Sequence, residues 1–387
     1  MKRRNFAIWT TARASEPVEA GRPIRTSKEG ASVTIDVENQ SISIGELRVG
    51  KGKPCFIIAE AGVNHNGSIG LARELVDVAV EAGCDAVKFQ TFRTEKVCSP
   101  LAPKAVYQLQ TTAAEESQFE MVRKLELPFD AFRELHRYCR DKGIIFLSTP
   151  FDYDSADFLA ELPVPAFKIP SGEVTNFFFL EHIARKRYPL IVSTGMATMD
   201  EVAVAVEAIR TTGNSQMVLL QCVSNYPANP SSMNLRAMRT MEEAFGVSAG
   251  LSDHTVGTEV AFAAVALGAC VIEKHFTLSH ELPGPDHRAS LEPQDLRGLV
   301  KGIRNIESAL GDGVKRPTPE ELNTADVARR SLVAARFIPA GAVLTADMLD
   351  ILRPGTGLPP AMRSQVLGRH AHHDIEAGTV LRLDMLA

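Results

Sequence analysis

Between residue 56 and about residue 309 the chain alternates short runs rich in β-branched and aromatic residues with amphipathic stretches. Eight runs stand out: 56–59, 86–89, 144–148, 166–169, 190–193, 217–222, 248–252 and 271–275. Runs this short and apolar fit strands buried on both faces, and stretches such as the alanine-rich 258–269 are long enough to cross back over a sheet as helices. Eight such units predict an α/β fold, a (β/α)8 TIM barrel. Ahead of them Ile42, Ile44, Leu47 and Val49 alternate with polar residues around Gly45, and Gly50-Lys-Gly52 follows, which predicts a short hairpin. One long interruption, 91–142, carries charged helical segments such as 115–127 and predicts a loop region on the active face that shapes a pocket.

The flanks differ in pattern. Residues 1–40 are polar, Arg-rich at first, without the apolar core of a secretory signal, and lack any period until Val33-Thr-Ile-Asp-Val37; they read as a mostly flexible extension. The barrel with its hairpin then spans 41–310, a linker bearing Lys315-Arg-Pro-Thr-Pro319 spans 311–330, and a small domain spans 331–387. In that domain Ile338-Pro-Ala-Gly-Ala-Val-Leu-Thr-Ala-Asp-Met-Leu349 recurs as Ile375-Glu-Ala-Gly-Thr-Val-Leu-Arg-Leu-Asp-Met-Leu386. An internal repeat of this kind predicts pseudo-twofold symmetry, and its modest core predicts docking onto another surface.

Composition narrows the class. With 45% hydrophobic and 23% charged residues the chain matches the soluble globular norm, and no uninterrupted apolar run reaches the roughly 20 residues of a membrane span. A net charge of −5 argues against a nucleic-acid surface. Cys55, Cys84, Cys98, Cys139, Cys222 and Cys270 form no CxxC pair and predict reduced packing thiols, as in the cytoplasm.

Side chains alternate between the two faces of a strand, so parity separates barrel interior from helix side. Glu60 shares the phase of Phe56 and Ile58. Lys88 and Gln90 share a phase, whereas Val87 and Phe89 face the helices. Thr149, Lys168 and Ser193 end their strands inward, Cys222 continues in phase to Ser224 and Tyr226, Ser252 runs on to His254, and Glu273 to His275. Every strand thus offers a polar group at the C-terminal edge, where barrel enzymes keep their chemistry. Two lysines among hydroxyls suit a phosphate or a phosphorylated carboxylate. His254 and His275, on adjacent strand ends, are an incomplete coordination shell that leaves room for water and substrate oxygens, the outline of a catalytic metal site. Imidazole alone suits zinc, and completion by oxygen ligands suits manganese or magnesium. Glu60 or Glu273 could move protons. His370, His372 and His373 have no acidic or thiol partners at ligand spacing and read as a solvated loop.

Ile58-Ala-Glu60-Ala-Gly-Val-Asn-His-Asn-Gly67, Val87-Lys88-Phe-Gln90-Thr91, Ser148-Thr-Pro-Phe151, Lys168-Ile-Pro-Ser171-Gly-Glu173, Ser193-Thr-Gly-Met196, Ser252-Asp-His254-Thr and Glu273-Lys-His275-Phe together resemble the sialic acid synthase family. The resemblance runs from about residue 45 to the C-terminus, and Arg353-Pro-Gly-Thr-Gly357 is similar to the family's antifreeze-like (SAF) domain. It implies condensation of phosphoenolpyruvate with an N-acetylmannosamine-type sugar to a nine-carbon 2-keto sugar acid and phosphate. By the same resemblance His254 and His275 hold manganese or magnesium, Lys88, Thr149, Lys168, Ser171, Ser193 and Ser252 hold phosphoenolpyruvate, and Glu60 lies beside the reacting centre. Gln90, Glu173, Tyr226 and Asp286 resemble sugar contacts. A homodimer is implied, in which Arg353 acts in trans at the partner's barrel mouth. Ser224, a candidate phosphate contact, departs from the pattern, since some members carry Asn there.

Two sugars remain open: N-acetylmannosamine, giving N-acetylneuraminate, and a 2,4-diacetamido-trideoxy hexose, giving a legionaminate- or pseudaminate-type product. Residues 103–127 and His287-Arg-Ala-Ser-Leu-Glu292 resemble bacterial synthases of the neuraminate and legionaminate kind. Octulosonate and heptulosonate phosphate synthases lack the appended domain. A non-catalytic sugar- or ice-binding protein would have no need of the intact set Glu60, Lys88, Lys168, His254 and His275.

Overall fold

The computed structural model describes residues 41–105, 108–109 and 116–387. The extension expected over 1–40 lies outside the described residues, as does Glu115 at the start of the helical segment expected over 115–127. The chain divides into two compact units, one ending at Glu307 and one beginning at Ser308.

In the first unit β1 (Ile42–Ile44) and β2 (Leu47–Val49) pair antiparallel around Gly45, whose φ of 59° suits the tight turn. Eight parallel strands follow: β3 (Phe56–Gly62), β4 (Ala86–Thr91), β5 (Ile145–Pro150), β6 (Phe167–Ile169), β7 (Leu190–Ser193), β8 (Met217–Cys222), β9 (Ser248–Asp253) and β10 (Val271–His275). β10 closes onto β3, while β5 and β6 lie side by side without a continuous ladder, so the barrel is nearly closed. All eight expected strands form. Four of them, β3, β4, β5 and β9, run on past the expected ends, into the residues where the apolar pattern gives way to the polar groups of the mouth.

Parity sorts the core into two layers. Val87, Phe89, Leu219, Leu251 and Ile272 point outward to the helices. Phe56, Ile58, Leu147, Ile191, Val218 and Val271 point inward and meet Ile42, Ile44 and Val49 of the hairpin. The hairpin therefore seals the N-terminal end of the barrel, and Lys51 N–H donates to Ser248 Oγ at the start of β9 at 3.0 Å. The helices are built as their sequences dictate. Ile69–Ala82, for example, is capped by Ser68, ends at Gly83 with φ 78°, and buries Ala72, Leu75, Val76 and Ala79 on one face. In the insertion, Gln118–Leu125 opens with a capping box between Ser117 and Glu120 and stops at Glu126, which is already extended two residues before Pro128. Among the described residues no helix is long and apolar enough to cross a membrane.

In the second unit β11 (Ser331–Ala334) pairs antiparallel with β12 (Leu349–Leu352). The two copies of the repeat face each other: Ile338 and Ile375 exchange both backbone hydrogen bonds, at 2.9 and 2.8 Å. Gly341 N–H donates to Ala371 O at 2.7 Å, and its counterpart Gly378 donates to Ala334 O at 2.8 Å. That reciprocity is a pseudo-twofold axis written in hydrogen bonds, around a core of Leu332, Ile338, Leu344, Ile375 and Leu381. The helix Glu321–Ala328 lies within the stretch read as a linker, and its Asp326 carbonyl accepts from Gly355 N–H at 2.7 Å. His370, His372 and His373 are exposed.

Because Ile44 is fully buried in the barrel floor, Ile44→Ala should cost about 2–5 kcal/mol. Denaturant unfolding of the barrel unit checks this, and a loss below about 1 kcal/mol would mean that the hairpin is loosely seated.

Candidate active site

Ladder register decides which side chains meet at the C-terminal edge. β3 sets Glu60 opposite Lys88 on β4 and opposite His275 on β10; β10 sets Glu273 opposite Ser252 on β9; β4 sets Gln90 opposite Thr149 on β5. A bulge between Glu60 and Gly62 ends the regular pairing of β3 there. The mouth is a cavity of about 300 Å³ lined by Glu60, Lys88, Gln90, Thr149, Lys168, Ser171, Ser193, Ser224, Tyr226, Ser252, His254, Glu273 and His275. Phe151, Met196 and Cys222 add to its wall.

Four charged groups lie buried there. Lys168 Nζ stands 3.0 Å from Glu273 Oε1, and Ser252 Oγ donates to the same oxygen at 2.9 Å. Lys88 pairs with Glu60, donates to Thr149 Oγ1 at 2.8 Å, and lies 3.8 Å from Glu273 Oε2. The two carboxyls are driven apart. Burial pushes the Glu60 pKa up, and Glu273 adds to the rise against the pull of Lys88. For Glu273 burial acts in the same direction, but Lys168 and Lys88 outweigh it and hold its pKa below the usual carboxylate range. Glu60 is thus suited to carry a proton near neutral pH, and Glu273 to remain an anion that fixes both lysines. Strand phase marked the two as equals and the family resemblance set Glu60 beside the reacting centre; the three-dimensional count of cations supplies the physical reason they differ.

Hydroxyls gather around one turn. Ser171 Oγ accepts from Gly195 N–H at 2.9 Å, and a side chain at Gly195 would collide with the Ser171 and Ser224 hydroxyls and the Cys222 thiol. Ser224 therefore belongs to the hydroxyl cluster. Ser193 Oγ is buried with no hydrogen-bond partner among the described residues.

The rings of His254 and His275 lie 5.4 Å apart, with Tyr226 against both at 4.1 and 5.4 Å. His254 Nδ1 donates to Val223 O at 2.7 Å, which fixes the tautomer and leaves Nε2 a lone pair. His275 Nδ1 is buried without a hydrogen-bond partner among the described residues, and burial with the neighbouring His254 pushes its pKa well down. Burial opposes protonation of His254, yet Cys222, 3.8 Å away, and the Val223 carbonyl outweigh it and raise its pKa. These two imidazoles fit a divalent ion: one is oriented by a carbonyl, the other neutral with an orphaned nitrogen. Among the described residues no set of three His, Cys, Asp or Glu could hold a metal ion, so an ion held by the two imidazoles would have to draw its other ligands from water or substrate.

Behind the histidines, on the helix side, lies a clamp that the sequence reading passed over. Lys274 Nζ donates to Asp253 Oδ2 and to Thr255 O, both at 2.7 Å, and Asp253 Oδ1 accepts from Thr255 N–H at 2.9 Å. It ties the ends of β9 and β10 together and so sets the spacing of the residues next to them, His254 and His275. Asp253 and Lys274 share the outward phase beside each histidine, a signal that parity could have supplied. Phe151, in phase with Thr149, was legible in the same way.

Three expected residues stand apart from the cavity. Glu173, its pKa raised by burial, accepts from Asn176 Nδ2 at 2.7 Å and lines a neighbouring hollow with Lys96 and Asp154. Asp286 lines a smaller hollow that shares Gln90, Phe151 and Tyr226 with the main cavity. Arg353 belongs to the second unit, where it is exposed and precedes the cis-linked Pro354.

Residues 75–315 match the NeuB family, and residues 329–387 match the SAF domain. The N,N'-diacetyllegionaminic acid synthase of Legionella pneumophila is 46% identical over 86% of this chain and 94% of its own length. The N-acetylneuraminate-9-phosphate synthase of Homo sapiens is 38% identical over 83% of this chain and 89% of its own. Among solved structures, the N-acetylneuraminic acid (sialic acid) synthetase of Leptospira borgpetersenii, in complex with citrate, aligns with a TM-score of 0.65 at 33% identity, over 74% of this chain and 95% of that one.

Asp286 generates a test of the site's electrostatics. Burial raises its pKa from 3.8 to about 6, with His254 pulling the other way. The raised pKa means that the fold favours the protonated form, so this contribution to stability is whole below pH ~4 and is lost as pH rises through ~6. Asp286→Asn should therefore stabilise the protein at pH 7.5, by at most ~3 kcal/mol, and leave it unchanged at pH 4. Thermal unfolding at both pH values checks it; equal gains at each would exclude charge as the cause.

Proposed function

This chain belongs to the NeuB family, the sialic acid synthases, and from that premise we propose that it condenses phosphoenolpyruvate with an N-acylated amino sugar. The observation that carries this reading is the convergence of Lys88, Lys168, five serine and threonine hydroxyls and two histidines on one cavity. Carbon 3 of phosphoenolpyruvate forms a bond to the aldehyde carbon of the open-chain sugar; water adds at carbon 2, the bond from carbon 2 to the phosphate oxygen breaks, and phosphate leaves. The product is a nine-carbon 2-keto sugar acid.

Lys88 and Lys168, with Thr149, Ser171, Ser193, Ser224 and Ser252, receive the phosphate and carboxylate, since ammonium and hydroxyl donors can share that charge. Glu273 keeps the lysines aimed. Glu60, with its raised pKa, passes a proton as water adds and phosphate departs. His254 and His275 would hold manganese or magnesium, which when bound supplies a Lewis acid for the sugar aldehyde. Gln90, Tyr226 and Asp286 take the sugar, with Glu173 as an outlying contact. Arg353 reaches this site from the second subunit of a homodimer. Six buried free thiols accord with a reducing cytoplasm.

As to the sugar, the 46% identity to a diacetyllegionaminic acid synthase, against 38% to a neuraminate-9-phosphate synthase, favours a 2,4-diacetamido-trideoxy hexose over N-acetylmannosamine.

Phosphate release should require phosphoenolpyruvate, an amino sugar and a divalent ion, and should stop with a chelator; metal-independent release, or none with any amino sugar, would sink the reading. His275→Ala should abolish turnover while the unfolding temperature stays near wild type, because a mouth residue contributes little to packing. If Arg353 acts in trans, mixing inactive His275→Ala with weakened Arg353→Ala should restore activity that neither has alone. Mixtures no better than their parts would place Arg353 at its own barrel or outside the site.

A further inference from the structure

The active cavity adjoins a second hollow of about 180 Å³, with Gln90, Phe151 and Tyr226 common to both. The two are unlike in chemistry. Val63, Phe92 and Leu125 form a buried apolar cluster, with Val122 and Phe151 packed against it, and the Phe92 and Phe151 rings meet edge to face at 6.4 Å. Met121 and Val122, from the helix Gln118–Leu125, face the same hollow. Gln90, Tyr226 and Asp286 bring polar groups to it and Gln108 adds one from the insertion, and no lysine or arginine is among the described residues that line it.

We propose that this hollow is a subsite for a methyl-bearing substituent of the acceptor sugar, with Phe92, Met121, Val122 and Leu125 as its wall and Gln90 and Asp286 as partners for the amide or hydroxyl beside the methyl. This deepens, and rests on, the sugar-condensing reading above. The methyl can belong to an N-acyl group or to a deoxygenated chain end; both present the same apolar surface. A hydroxyl buried against the face of Phe92, Met121, Val122 and Leu125 would lack a partner there. A phosphate would be desolvated beside the Asp286 carboxyl with no lysine or arginine among the described residues lining the hollow to meet it, which leaves Arg353 of the second subunit as the one cation proposed near it. The subsite therefore selects an unphosphorylated acceptor. Its wall comes from the insertion between β4 and β5 and from the loops after β3 and β4, whereas the phosphate and metal groups stand on the strand ends. Specificity and chemistry are thereby carried by different parts of the barrel.

The test is a comparison of kcat/KM across acceptors in the full-length enzyme. One arm sets N-acetylmannosamine against its N-glycolyl and N-propanoyl analogues and its 6-phosphate; the other sets a 2,4-diacetamido-2,4,6-trideoxy hexose against its 6-hydroxy counterpart. Each uses wild type, Val122→Thr and Met121→Ala. Losing or hydroxylating the seated methyl should lower kcat/KM by about 10- to 200-fold in the wild type. Val122→Thr should narrow that preference, and Met121→Ala should shift it toward the larger acyl group, with the KM for phosphoenolpyruvate unchanged. A preference in the first arm assigns the N-acyl methyl and one in the second the deoxy carbon; either supports the subsite. Turnover with a flat profile in wild type and both variants, or preference for the 6-phosphate, would overturn it. No turnover by wild type with any acceptor would instead bring down the condensation reading, and the subsite with it.

Discussion

Four charges withdrawn from water at one end of the barrel impose the constraint that the rest of the molecule satisfies. Lys88, Lys168, Glu60 and Glu273 are each nearly inaccessible to solvent, and a buried charge without a partner costs several kcal/mol. Two lysines in contact with two carboxyls, one held as an anion and one able to take up a proton, limit that cost. The arrangement works only if β3, β4, β6 and β10 end in register, and register in a parallel barrel is set far from the mouth by the apolar residues that fill the floor. Ile44, Ile58, Leu147 and Val271 thus contribute to the chemistry they never touch, because a one-residue slip of a strand would turn its inward charge toward the helices. The quartet is also asymmetric. Glu273 meets two lysines and Glu60 chiefly one, so identical side chains acquire different protonation behaviour from their neighbours alone.

Much of the barrel was legible in the sequence because it rests on short-range alternation. Strand positions, the hairpin and the inward phase of Lys88, Lys168, His254 and His275 all follow from patterns within a few residues, and the twofold repeat of the small unit from a direct recurrence of one segment in another. The extra length of β3, β4, β5 and β9 was not, since hydrophobicity stops marking a strand where its residues turn to chemistry. The resemblance singled out Glu60, but the physical basis of its difference from Glu273 was equally hidden, because it depends on how cations from β4 and β6 distribute around β10. Asp253 and Lys274 escaped notice for a different reason. They point away from the cavity, and attention to inward residues passes over a clamp whose effect is to hold the strand ends beneath the two histidines.

The insertion between β4 and β5 illustrates how a barrel accommodates change. The capped helix Gln118–Leu125 and the aromatic pair Phe92 and Phe151 bound a hollow beside the reactive groups without contributing to the quartet. Substitutions there can remodel one wall while the buried charges and the strand register stay as they are. That separation accords with a family whose members carry the names of several different sugar acids.

The packed interior of the barrel, with the hairpin beneath it, makes the catalytic unit a cup rather than a tube. With Phe56, Ile58, Leu147, Ile191, Val218 and Val271 filling the interior and Ile42, Ile44 and Val49 covering its N-terminal end, every molecule that reaches the lysines must arrive and depart through the same opening. Traffic is then ordered by depth: whatever lies against the floor enters first and leaves last, and whatever sits at the rim controls when the vessel can empty.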